Sequence, residues 1–148
     1  MTRLRRILHP SDFSRASSAA FRRAVEMAKS NRAQLLLLHV LRPVVAIPSD
    51  GYLSPKVYQD LAAASRAAAQ KHLGALVAKA SKAGVKATGL LLDGVPADRI
   101  TQAARSRRAD VIVIGTHGRT GLARFFLGSV ASRVVALAGC PVLTVRGK

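Results

Sequence analysis

Tryptophan is absent from this chain, cysteine occurs once, and aromatic residues make up only 4% of it. A core without large rings must be assembled from the Ala, Val, Leu and Ile of a sequence that is 49% hydrophobic. With Cys140 alone, no intramolecular disulfide framework and no multi-cysteine metal site can be built. Long apolar runs are lacking too, since none approaches the ~20 residues of a membrane span. The opening MTRLRRILHP is charged and leads into no apolar stretch, so no secretory signal is expected. These absences fit a cytoplasmic protein. Acids are scarce as well: seven against 24 Lys and Arg, a net charge of +17.

What is present is enough for one domain over residues 1–148 with a full core, and short for two. The positive field attracts polyanions, among them nucleotides, nucleic acids and anionic surfaces. Seventeen of the cations are arginine, spread from Arg3 to Arg146, with Arg5-Arg6, Arg22-Arg23 and Arg107-Arg108 as pairs rather than tails. A solvated arginine-rich surface explains this pattern more simply than a dedicated nucleic-acid site. No aromatic residues interleave with the arginines to stack single-stranded bases.

Five short apolar runs recur: Leu4 to His9, Gln34 to Leu41, Val85 to Leu92, Val111 to Gly115 and Val142 to Val145. Most are nearly continuous, as strands buried on both faces should be. Helical patterns separate them. Ala20, Phe21, Ala24, Val25 and Ala28 follow Ser14, an N-cap candidate. Tyr58, Leu61, Ser65, His72, Leu76 and Ala80 suggest one face of a long second helix closed by Gly84. Pro96 suits the first turn of a third helix through Ile100 and Ala104. Ser129 can cap a fourth helix carrying Val130, Val134 and Leu137, with Gly139 and Pro141 ending it. Arg42 to Pro55 reads as the longest loop. The alternation predicts an α/β fold: an open, mainly parallel sheet of five strands with helices on both faces.

Ligands of such sheets gather beyond the carboxyl ends of the strands, where strand order reverses. Three segments can meet there: His9-Pro10-Ser11-Asp12, His39-Val40-Leu41, and the stretch GTHGRTGLARFFLGSV from Gly115 to Val130. The last holds four glycines and no acid. Glycine lets backbone N–H groups approach an anion closely, and a helix beginning near Ser129 adds unpaired donors and a positive dipole end. Arg119 and Arg124 could add charge. The alternative is that Gly115, Gly118 and Gly128 only permit turns. Asp12 has its own local alternative, an Asx-turn or N-cap on the first helix. His39 reads as a core or sheet-end residue, His117 as a loop residue able to touch a phosphate, and His9 and His72 lack metal spacing. No P-loop, nucleophile elbow, zincin or kinase signature is present.

Gly115-x-x-Gly118, nine residues, then Gly128-Ser129 resembles the G-2x-G-9x-G-[S/T] motif of the nucleotide-binding universal stress proteins. RRILHPSDFS, LLLLHV, DGVPADRI, ADVIVIGTHGRTG and SVASRVVALAGCPVLTV resemble further segments of that family, so the likeness covers nearly the whole chain. The resemblance implies a Rossmann-like, adenine nucleotide alpha hydrolase-like fold binding ATP, AMP or ADP, with Mg²⁺ on the phosphates. It implies that Pro10, Ser11, Asp12 and Val40 surround adenine or ribose and that Ile114 and Gly115 lie against the nucleoside. Gly118, Arg119, Gly128, Ser129 and Val130 would hold the phosphates, largely through backbone N–H groups. No catalytic or metal-ligating residue is assigned, and at most slow ATP turnover is expected. The resemblance also implies a homodimer through the last strand, Pro141 to Val145, and protein partners that the sequence does not name. Two other functions compete: a stress-response interaction module without nucleotide, and non-specific nucleic-acid binding through the basic surface, which accounts for the charge but not for the motif.

Overall fold

Apolar runs too short for helices become strands here, and the computed structural model describes them within residues 3–43, 54–117 and 127–147. Among these residues β1 (Arg6–Pro10), β2 (Gln34–Leu41), β3 (Ala87–Asp93), β4 (Val111–Gly115) and β5 (Val142–Val145) alternate with helices. The helices are α1 (Ser17–Asn31), α2 (Pro55–Lys82), α3 (Pro96–Ser106) and α4 (Ser129–Leu137). All strand pairs are parallel, in the order β3-β2-β1-β4-β5. This is the α/β sheet that the sequence predicts.

Side chains of a strand alternate between faces. Ile7, Leu35, Leu37, Val111 and Val113 therefore face α1 and α2, while Leu8, Leu36, Leu38, Ile112 and Ile114 face α3 and α4. Ala20, Ala24 and Ala28 line the buried side of α1, small enough to let the helix lie close on the sheet. Ile7, Leu8, Leu35, Leu37 and Leu38 retain no exposed surface, each worth about 1.5–3 kcal/mol of burial. Among the described residues no helix is long and apolar enough to cross a membrane.

Several boundaries differ from the sequence reading. β1 starts at Arg6 and runs through Pro10, because Arg6 to Pro10 pair with Gln34 to Leu38. β3 starts at Ala87, since the Val85 N–H is taken by the Ala80 carbonyl at the end of α2. β3 is also an edge strand and only half-buried, unlike the continuous core strand expected. On α2 the buried residues are Ala69, Leu73 and Ala80, whereas Leu61, Ser65 and His72 are exposed, so the predicted face is rotated. Ser14 is not the N-cap of α1; Ala16 is, although the Ser14 hydroxyl still accepts the Ser17 N–H at 3.2 Å. On α4 the cap is Gly128, Ser129 is the first helical residue, and Leu137 is exposed. Residues 44–53 of the predicted loop lie outside the described residues.

Two features tie distant parts of the chain. The Asp110 carboxylate accepts the N–H groups of Arg5 at 2.7 Å and Arg6 at 2.9 Å, and these bonds hold its pKa below the ordinary carboxylate value. Its contribution is present above that ordinary value and fades as pH falls through the folded pKa. Asp110→Ala should cost about 1 kcal/mol in urea unfolding at neutral pH, the exposed setting discounting the usual value for a charged acceptor. An unchanged midpoint would mean that water replaces the carboxylate at no cost. At the other end of the sheet Gly147 passes so near α1 that a Cβ would stand 2.7 Å from the Ala16 carbonyl oxygen. No side chain fits there.

Candidate functional site

β1 and β4 pair only at Ile7 with Val111 and Leu8 with Ile112. Beyond that point the Val113 carbonyl accepts from the His9 imidazole, Nδ1 to oxygen 2.8 Å, so a side chain bridges where the backbones part. The chain leaves β1 toward α1 on one face and β4 toward α4 on the other. A crevice must open between their carboxyl ends, the switch point of a doubly wound sheet.

A cleft of about 370 Å³ lies there. Pro10, Ser11 and Asp12 enter it from the end of β1, Val40 from β2, Ile114 and Gly115 from β4, and Gly128, Ser129 and Val130 from the start of α4. The structure thus brings nine sequence-predicted residues to one cavity. Gly118 and Arg119, with Arg124, lie outside the described residues.

The turn after β1 is built by its own side chains. The Ser11 N–H joins the Leu38 carbonyl at 2.8 Å, the Ser11 hydroxyl accepts the Phe13 N–H at 3.0 Å, and Asp12 Oδ1 accepts the Ser14 N–H at 2.9 Å. The Asx-turn reading of Asp12 is therefore realised within a cleft-lining residue. Phe13 adopts φ 63°, and its ring stacks on His39 with centroids 4.2 Å apart and lies 5.1 Å from His72. His39 in turn donates Nδ1–H to the Ser11 carbonyl at 2.7 Å. This histidine is buried, as the sequence suggested, but it also sets the position of a turn that lines the cleft.

The opposite wall is a helix start. The Gly128 N–H is held by the Thr116 carbonyl at 2.6 Å, and the first intrahelical bond runs from Ser132 N–H to the Gly128 carbonyl at 2.9 Å. The N–H groups of Ser129, Val130 and Ala131 precede that bond and have no acceptor within the helix. Together with the positive dipole end they suit an anion. Gly115 is not required by the fold: its φ is not positive, and a Cβ would meet Ala16 and Ser17 at ordinary contact distances, 3.5 and 3.6 Å.

Sequence reasoning missed Arg42, Thr116, Pro96 and Ile100 as cleft residues, and it placed little weight on His117, which also lines the cleft. Pro96 and Ile100 belong to DGVPADRI, read from the sequence as the start of the third helix and for its resemblance, not as a wall of the cleft. Arg42 carries no motif.

Asp12 is the one carboxylate lining the cleft among the described residues. His9 has no exposed surface, burial lowers its pKa to about 4, and its Nε2 has no hydrogen-bond partner. Burial also raises the Cys140 thiol above its ordinary value, which disfavours the reactive thiolate. Among the described residues no three His, Cys, Asp or Glu side chains converge as a metal site.

The family profile described as universal stress protein family matches residues 3–146. A universal stress protein of Methanocaldococcus jannaschii is 38% identical over 144 residues, 96% of this chain and 82% of that protein. Among solved structures, universal stress protein UspA from Lactobacillus plantarum is similar with a TM-score of 0.84 and 28% identity, over 99% of this chain and 100% of that one. A family protein from Arabidopsis thaliana with AMP bound is similar with a TM-score of 0.70 and 27% identity, over 97% of this chain and 92% of that one.

Proposed function

Because this chain belongs to the universal stress protein family, we propose that it is a regulatory protein that binds an adenine nucleotide, ATP foremost, in the cleft between β1 and β4. The observation that carries this reading is convergence: the turn after β1, the end of β2, the end of β4 and the start of α4, with Gly115, Gly128 and Ser129 of the family motif, line one cavity. Its volume, about 370 Å³, falls within the usual range of small-molecule sites. The AMP-bound relative supports an adenine nucleotide as the occupant. Adenine and ribose would lie against Asp12 and Val40, and the phosphates would meet the N–H groups at the start of α4.

Mg²⁺ would travel on the phosphate oxygens, with Asp12 the one carboxylate at hand among the described residues. With Asp12 the one carboxylate among its described lining residues, the cleft favours occupancy signalling over fast hydrolysis. β5 is an edge strand with Leu143 38% exposed, and an unpaired edge is a template for a second copy. We extend the proposal to a homodimer through β5.

Acid extraction of high-salt-washed protein should release close to one adenine nucleotide per subunit, identified by chromatography. Asp12→Asn keeps the Asx-turn acceptor but removes the charge, and should lower that yield several-fold. The same preparation should elute as a dimer by light scattering. A native chain that releases nothing and shows no heat on ATP titration would instead be an interaction module without nucleotide.

A further inference from the structure

A net charge of +17 is not explained by a cleft whose described lining contains one arginine, Arg42. The structure puts much of that charge at the opposite, amino-terminal edge of the sheet. There β1 begins, α1 hands over to β2, and α3 hands over to β4. Because the strands are parallel, Arg5, Arg6, Arg32, Arg107 and Arg108 all come to this one edge. The pairs Arg5-Arg6 and Arg107-Arg108, far apart in the chain, meet directly: Arg6 Nη1–H donates to the Arg107 carbonyl at 3.2 Å. A second cavity of about 370 Å³ opens beside them, lined by Arg6, Gln34, Ser106, Arg107 and Arg108 over buried Leu36. Asp110 is the acid at this edge among the described residues, and its carboxylate is turned onto the N–H groups of Arg5 and Arg6.

Backbone conformation gives a second, independent observation. Arg32 at φ 53° and Arg108 at φ 54° occupy left-handed positions in the turns after α1 and α3. The corresponding turn after α2 uses Gly84, at φ 88°. Glycine is the residue these positions favour, and a side chain there is strained. A helix carboxyl end attracts cations, which accounts for an arginine nearby but not for one at the strained residue itself. Residues in such conformations persist where the surrounding structure holds them, and they cluster at functional sites.

We infer that this edge is a docking surface for the phosphate backbone of duplex nucleic acid. Arginine, serine and glutamine side chains around a recess supply forked and single donors to phosphate oxygens. Among the described residues no aromatic side chain lines the recess to stack an unpaired base, so a duplex fits better than a single strand. None of the exposed large hydrophobic residues among those described lines it either, as insertion into a lipid surface would need.

The test uses the full chain, a labelled mixed-sequence DNA duplex and fluorescence anisotropy at several salt concentrations. Arg32→Gly combined with Arg108→Gly should weaken binding at least about 10-fold and reduce the slope of log K against log salt by about 2, near 0.9 for each phosphate no longer neutralised. The same variant should melt no lower than the native chain, since glycine relieves both left-handed residues. Arg22→Gln combined with Lys71→Gln removes equal charge from exposed helix positions and should change affinity less than about 3-fold. Equal weakening by the two variants would overturn the proposal in favour of net charge alone. Absence of duplex binding, or tighter binding to phosphatidylserine vesicles than to duplex, would also overturn it.

Discussion

Replacing Ser129 by glutamate is expected to abolish most ATP binding while leaving the fold as stable as before, or slightly more so. Ser129 is the first residue of α4, and it borders the cleft. A carboxylate in the first turn of a helix is stabilising by about 0.3–1 kcal/mol, because it complements the dipole and the unpaired N–H groups. The same charge would occupy the place proposed for the phosphates. Losing a charge-assisted hydrogen bond costs about 1.5–3 kcal/mol, which is about 10- to 100-fold in affinity, and repulsion between anions adds to it. Ser129→Ala removes the hydroxyl alone and should fall near the lower bound. Calorimetric titration with ATP and a thermal melt of each variant separate the two effects. Undiminished affinity in Ser129→Glu would show that the phosphates do not rest at the start of α4.

The second large effect concerns acid. His9 lies wholly inside the α1 and α2 side of the core, 6.0 Å ring to ring from Phe21, and burial holds its pKa at about 4. Well above pH 6.5 the imidazole is neutral in both folded and unfolded chains and confers no pH dependence. As pH falls from 6.5 toward 4, the unfolded chain takes up a proton that the folded chain refuses. Stability should drop by up to about 1.4 kcal/mol per pH unit, and by about 3 kcal/mol across the window. Asp110 does not confuse the measurement, because its contribution fades only below the ordinary carboxylate value. His9→Gln keeps a donor for the Val113 carbonyl but does not titrate. Urea unfolding at about pH 7 and about pH 4.5 should show a steep loss in the native chain and a much flatter one in this variant. Equal slopes would place the acid sensitivity elsewhere.

The strands were legible because their signal is contrast: runs such as LLLLHV stand between charged helix ends, and only their limits moved. The face of α2 was not, since its alanine-rich middle offers little polarity to rank. Ala69, Leu73 and Ala80 are buried there because the sheet lies beneath them, not because they are the most apolar choice. The half-buried state of β3 was hidden for a similar reason; an edge position depends on strand order, which local pattern does not encode. Within the cleft, Ser11 and Asp12 could be read from a dense turn sequence. His39 could not be read as a positioning residue, because its role rests on one carbonyl 28 residues away. The Ser129 cap was misplaced by one residue because the bond from Gly128 N–H to the Thr116 carbonyl, a main-chain event, decides where α4 begins.

Thr116 joins two regions that would otherwise act separately. Its N–H is bound to the Val145 carbonyl of β5 at 3.0 Å, and its carbonyl receives the Gly128 N–H before α4. One residue therefore acts as a pin that joins the outer strand to the wall of the cleft. If an occupant of the cleft prefers one setting of this pin, a partner on β5 with the same preference must be strengthened by the same factor, and the reverse holds equally. Cleft and edge would then be two readouts of a single equilibrium.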